Sequence, residues 1–259
     1  MSSKIDKDAL KTPDMFLSTS DKIFNFVEQH FKTFLTVVVA ALVAGGAYVG
    51  MGYLQTRKEL KAAEALYVPE AALRKTETGF REEKAKALKP GDKEKKSEPA
   101  KVEDYARDYA PTVEKIKAAI KDNDSTRAAM VSALTLSSFL LQQKQYSAAL
   151  EALQLAKFNP PSADLLAGFW FMQSGLVNLE NGQTGPAIEA YDHVLKSDAL
   201  KAFHPEALLK LGVCSELKGD TAKARETYER LGREFPETEA AQNALQFLRL
   251  MQMKTPKQG

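Results

Sequence analysis

The stretch PEALLKLGVCSELKGDTAKARETYERLGREFPE, residues 205–237, decides how this chain is to be read. Leu211-Gly212 lie on a first helix, Gly219 marks a turn, Ala224 and Tyr228 lie on a second helix, and Pro236 closes the unit. An earlier stretch carries Gly175, Gly182, Ala187 and Tyr191 in the same order. The separations agree: Gly175 and Ala187, like Gly212 and Ala224, are twelve residues apart, and each alanine is followed four residues later by its tyrosine. A third, more degenerate copy has Ser137, Tyr146, Ala149, Leu153 and Pro161, with serine in the glycine slot and no aromatic in the tyrosine slot. Two antiparallel helices joined by a short turn approach closely only where side chains are small. That is the expected task of Gly175 and Gly212 facing Ala187 and Ala224. Tyr191 and Tyr228, one helical turn on, are expected to fill the gap toward the neighbouring unit.

The order Leu-Gly, turn glycine, alanine, aromatic, proline resembles the tetratricopeptide repeat. This resemblance implies an all-α chain whose repeats, at about 130–163, 168–201 and 205–238, stack into an α-solenoid within residues 126–252. The two glycines are 37 residues apart rather than the usual 34 or so, which places an insertion around Phe203 between units. The last stretch, TEAAQNALQFLRLMQM (238–253), reads as one amphipathic helix capping the final hydrophobic face, with residues 253–259 left as a tail.

Working outward toward the N-terminus, Val102, Tyr105, Ala106, Tyr109, Val113, Ile116 and Ile120 recur at helical spacing. They predict a packing helix and loop over 102–125, kinked or restarted at Pro111, with Asp124 or Ser125 as N-cap of the next helix. Residues 74–101 are dense in charge and contain Pro90-Gly91 and Pro99, so they read as a solvated linker. RKELKAAEAL is helical, and the reading assigns a helical extension to 57–73 that weakens at Pro69.

Between Thr33 and Thr56 the chain has no charge: TFLTVVVAALVAGGAYVGMGYLQT. About 20 apolar residues cross a hydrocarbon core, so 33–56 is the candidate transmembrane helix, with Tyr48 and Tyr53 suited to an interface. More than thirty residues precede it, which argues against a cleaved signal peptide. Gly46 and Gly50 form a GxxxG pair, a candidate contact with a partner transmembrane helix. Residues 1–32 form a tail with a short amphipathic stretch, FVEQHFK. Charge counting favours a cytoplasmic C-terminal part, because Arg57, Lys58, Lys61, Arg74 and Lys75 outnumber Lys22 and Lys32, while Lys4, Lys7 and Lys11 narrow the difference.

The 259 residues hold 36 Lys and Arg against 34 Asp and Glu, a net charge of +2 that points at no nucleic acid. Cys214 is the one cysteine, which excludes an intramolecular disulfide and a CxxC pair. His30, His193 and His204 have no partner at metal-ligand spacing, and GxGxxG, GxxxxGK[ST], GxSxG and HExxH are absent, so the expectation is no catalytic residue, metal or cofactor. The expected partners are protein or peptide ligands in a groove lined by first helices, with Gln173, Asn178, Lys210, Ser215 and Lys218 as candidates, and the bilayer through 33–56. Trp170, flanked by Phe169 and Phe171, reads as core packing unless one ring reaches the groove.

The tail, the Val/Ala/Gly-rich span, the repeats and the terminal LRLMQMK together resemble the bacterial ancillary SecYEG translocon subunit family, from which the charged 74–101 insert departs. That resemblance implies an inner-membrane, single-pass protein with periplasmic repeats, acting as a non-catalytic adaptor in protein export or periplasmic chaperone networks, against the local charge count. FPETEAAQNALQFL (235–248) also resembles repeats of envelope proteins that serve division or outer-membrane assembly, so a structural scaffold is the alternative.

Overall fold

The computed structural model describes residues 31–87, 104–157 and 164–254, and every described regular element is a helix. Residues 1–30 of the N-terminal tail, the second half of the expected charged linker, Val102, Pro161 and residues 255–259 lie outside the described residues. Contacts divide the chain into residues 1–57 and 58–259, and helix α1 (Phe31–Ala87) contributes to both.

In the first unit α1 is apolar and bare. Val37, Leu42, Val43, Val49 and Leu54 are all exposed, and no atom approaches the open sides of Gly46 and Gly50. Thr36 and Thr56 turn their hydroxyls onto the carbonyls of Lys32 and Gly52, which satisfies them without solvent. Among the described helices, this one is long and apolar enough to cross a membrane.

The second unit departs from the expected boundaries. Instead of weakening at Pro69 and giving way to a linker at 74, α1 continues to Ala87 with Pro69 inside it. An interior proline removes a helical hydrogen bond and costs roughly 3 kcal/mol, so something must hold the helix on both sides of it. Leu66 and Leu73 are buried in a core with Tyr109, Val113, Ile116 and Ile120, and the Phe80 ring meets Tyr109 at 6.0 Å. Leu66, Leu73 and Phe80 are seven residues apart, a stripe hidden in the sequence by the charges around it. The packing helix divides as Pro111 predicts, into α2 (Tyr105–Asp108) and α3 (Ala110–Asp122).

Next come α4 (Arg127–Gln142) and α5 (Tyr146–Leu155), α6 (Leu165–Glu180) and α7 (Thr184–Leu195), a 3-10 helix (Asp198–Phe203), α8 (His204–Leu217) and α9 (Thr221–Glu234), and α10 (Glu239–Lys254). Thr126, rather than Asp124 or Ser125, caps α4: its Oγ1 accepts from Ala129 N at 3.1 Å. α4 receives a second cap from outside itself, because the Glu59 carboxylate accepts from the backbone of Arg127 (2.8 Å) and Ala128 (3.1 Å). Lys58 donates to Ser125 Oγ and Ser132 to Glu70, so residues 58–73 are tied to α4 by polar contacts as well as by the core. The helical stack therefore starts one layer earlier than sequence reasoning places it.

All three within-pair turns use one geometry. Gln145 N donates to Leu140 O, Gln183 N to Asn178 O and Asp220 N to Ser215 O, at 2.8–2.9 Å, each closing a helix end around a residue of positive φ. Two of those residues are Gly182 and Gly219; the third is Lys144, at φ 58°.

Candidate binding surface of the repeat stack

The glycines and tyrosines named from the sequence meet inside each pair. A Cβ at Gly175 would fall well under 3.0 Å from the Tyr191 ring, and one at Gly212 equally close to the Tyr228 ring. Ala187 and Ala224 are fully buried beside them. Each tyrosine lies over the glycine of its own pair and also reaches the next unit: Tyr191 shares a cluster with Ala207 and Cys214 of α8, and the Tyr228 ring meets Phe247 of α10 at 5.5 Å. The reason is size, since a glycine leaves a recess that a ring fills only when no Cβ occupies it. In the α4–α5 pair the buried Ser137 holds the glycine slot and Leu153 the tyrosine slot, a larger side chain set against a smaller one. Pro236 is exposed just after α9 and borders a cleft with Tyr228, Ala241 and Leu245.

Gly168 is a third such recess and was missed. A Cβ there would collide with the Phe203 ring, which also meets Phe169 edge-on at 5.0 Å. The expected insertion around Phe203 lies between the two pairs as a 3-10 turn whose last residue plugs the recess on α6. Its sequence signal was a glycine immediately before an aromatic run.

Of the groove candidates, Ser215 borders a cavity with Asp192, Leu211 and Arg230, while its hydroxyl and the Asn178 amide are turned inward. Both are buried and donate to carbonyls of their own helices, Asn178 to Ser174 O (2.8 Å) and Ser215 to Leu211 O (3.0 Å). They satisfy themselves locally because short polar side chains on helix interiors can bond one turn back. Gln173 is half-buried and donates to Ser137 Oγ at 3.4 Å, joining α6 to α4. Lys210 pairs with Glu206 at 3.3 Å on its own helix, and Lys218 is exposed at the end of α8.

Groups with chemical capacity are held structurally. Phe171 stacks on His193 at 4.9 Å, and His204 Nε2 lies 3.1 and 3.0 Å from the carbonyls of Val194 and Ser197. Burial pushes the Cys214 thiol up to about 11, far from a nucleophile's range. Burial also raises Tyr191 and Tyr228, and donation to Glu216 (2.6 Å) raises Tyr228 further. Among the described residues no three His, Cys, Asp or Glu gather as metal ligands would.

Comparison with known families agrees with this geometry. The chain belongs to the tetratricopeptide repeat-like domain family, whose model matches residues 25–213, and a tetratricopeptide repeat model also matches residues 206–238. No individual curated protein and no solved structure matches it significantly. The class is that of protein-binding helical scaffolds.

Proposed function

We propose that this chain is a single-pass membrane protein of the bacterial inner membrane whose repeat domain acts as a non-catalytic adaptor, in protein export or periplasmic chaperone networks. The observation that carries the membrane part is the charge-free run 33–56, whose large apolar side chains are exposed along the helix. A water-soluble helix hides such a surface, and a bilayer is the solvent that accepts it from all sides. Gly46 and Gly50, with open space over both, are the proposed contact for a partner helix. The periplasmic side rests on the resemblance to the translocon subunit family described above.

Topology tests the reading. Cysteine introduced at Lys95 should react with a membrane-impermeant maleimide in intact spheroplasts, while the buried Cys214 stays silent. Protection at Lys95 would put the repeats in the cytoplasm and end the export reading. A photoreactive residue at the exposed Lys218 should capture many secreted chains or chaperones. Capture of one stoichiometric envelope protein would favour the scaffold alternative instead.

A further inference from the structure

Helix α9 and the capping helix α10 leave a cleft open to solvent at the end of the stack. Glu229, Gly232 and Arg233 follow one another at helical spacing and share one face of α9, with Pro236 just past its end. They line one wall of the cleft, and Leu245 and Leu248 of α10 line the other. Leu245 is 49% exposed, although α10 is the helix that closes the stack. A Cβ added at Gly232 would meet no atom within 4 Å among the described residues. A glycine at that place lets a second backbone come close, and the exposed leucine gives it apolar surface to bury.

The charges on this face form a pattern. Glu229 and Arg233 are both exposed, and neither has an ion-pair partner among the described residues. Arg230 and Glu234, on the same helix, are closed onto each other at 2.8 Å. One acid and one base a single helical turn apart make a surface that is complementary to itself. Two copies of α9 laid antiparallel, crossing over Gly232 at the level of Leu231, set each Glu229 against Arg233 of the second copy, and both pairs form at once. A parallel arrangement would instead set like charges together. Between Glu239 and Lys254, α10 carries one charge, Arg249, so it brings no acid to compete for Arg233.

We propose that two copies of this chain associate through this surface about a twofold axis. Leu245 and the cleft floor form the apolar centre, and the two Glu229–Arg233 pairs set the register. Exposed ion pairs contribute little affinity, so the apolar part holds the copies together and the charges choose the arrangement. The chain's own end does not fit as occupant, since residues 254–259, KTPKQG, have no acid for Arg233 and no large apolar side chain. The contact goes beyond the adaptor reading and does not depend on it.

The test uses the full chain in detergent micelles, prepared once with a donor dye and once with an acceptor dye on an added C-terminal cysteine. Energy transfer is followed against protein concentration. Wild-type donor and acceptor should associate. Glu229→Arg alone and Arg233→Glu alone should each weaken self-association at least tenfold, because both pairs become like-charged. Glu189→Arg, the same change of charge at an exposed site on α7, should leave it unchanged. Glu229→Arg donor mixed with Arg233→Glu acceptor should return to within about threefold of wild type, since each base again meets an acid. Leu245→Ser should weaken self-association at least tenfold, with circular dichroism checking that each variant is folded. Absence of transfer by the wild type overturns the proposal and leaves the cleft to another occupant. Transfer indifferent to the single charge changes overturns it too, and assigns self-association to the span; so does a mixture that fails to recover. Labelling at Lys95 and capture at Lys218 test the membrane and adaptor readings separately, so a failure there is told apart from a failure here.

Discussion

The pairs α6–α7 and α8–α9 share a plan and differ by one side chain with a measurable consequence. In both, a glycine on the first helix receives the ring of a tyrosine sixteen residues later, and both rings are fully buried. In α8–α9 the hydroxyl of Tyr228 donates to Glu216, four residues past the glycine. In α6–α7 the residue four past the glycine is Leu179, and the Tyr191 hydroxyl has no hydrogen-bond partner among the described residues. The ring therefore obeys one constraint and the hydroxyl another. Packing a ring into a recess is worth enough to retain the tyrosine even where its hydroxyl is stranded, at roughly 1–3 kcal/mol for an unsatisfied buried polar group.

The largest effect should come from closing the recess. Gly212→Ser is expected to cost about 3 kcal/mol of unfolding free energy, because the Tyr228 ring has nowhere to move. Adding Tyr228→Leu, which copies the Ser137–Leu153 arrangement of α4–α5, should recover at least about 1 kcal/mol relative to the sum of the two single changes. Chemical denaturation of the detergent-solubilised chain measures both, and strict additivity would mean that the two slots are not coupled.

Alkali tests both pairs at once. The two phenols are raised above their ordinary 10.0, so the unfolded chain releases these protons near pH 10 while the folded chain keeps them. Their contribution to stability is complete below that pH and falls above it by about 1.4 kcal/mol per pH unit for each tyrosine. Cys214, with a folded value of about 11 against an ordinary 9.0, adds to the loss from about pH 9. Tyr191→Phe or Tyr228→Phe should each reduce the slope measured between pH 10 and 11.5 by one proton. An unchanged slope would mean that the replaced phenol ionises in place.

At neutral pH the same two substitutions should have opposite signs. Tyr228→Phe removes the bond to Glu216 and should destabilise by about 1 kcal/mol; Tyr191→Phe removes a stranded hydroxyl and should stabilise by about 1 kcal/mol. Matching signs would break the contrast between the pairs. The smallest effect concerns the turns. Lys144 occupies the positive-φ position that Gly182 and Gly219 hold in the other two pairs, so Lys144→Gly should stabilise by about 0.5–1 kcal/mol, read as a rise in melting temperature.

How legible these features were depended on how local their causes are. Gly182 and Gly219 announced their turns because glycine is the residue that reaches positive φ cheaply. Lys144 gave no such signal, although its turn is the same. The contacts of Glu59 with the start of α4 join residues 68 and 69 apart, and no periodicity reports a cap supplied from that distance. The inward hydrogen bonds of Asn178 and Ser215 were not legible either, because a polar residue on a mostly apolar helix looks solvent-facing until its own backbone is seen to accept its hydrogen bond.

The amino-acid sequence by itself determined the helical class, the repeat register through Gly175, Ala187, Tyr191, Gly212, Ala224 and Tyr228, and the charge-free run 33–56, because each follows from spacing or composition along one short segment. Only the tertiary structure decided that α1 runs through Pro69 to Ala87, that each tyrosine covers its own pair's glycine, and that Glu59 caps the start of α4. The physical reason is common to all three: each depends on which side chains meet across helices far apart in sequence, and packing there outweighs the local signals of proline, charge and polarity.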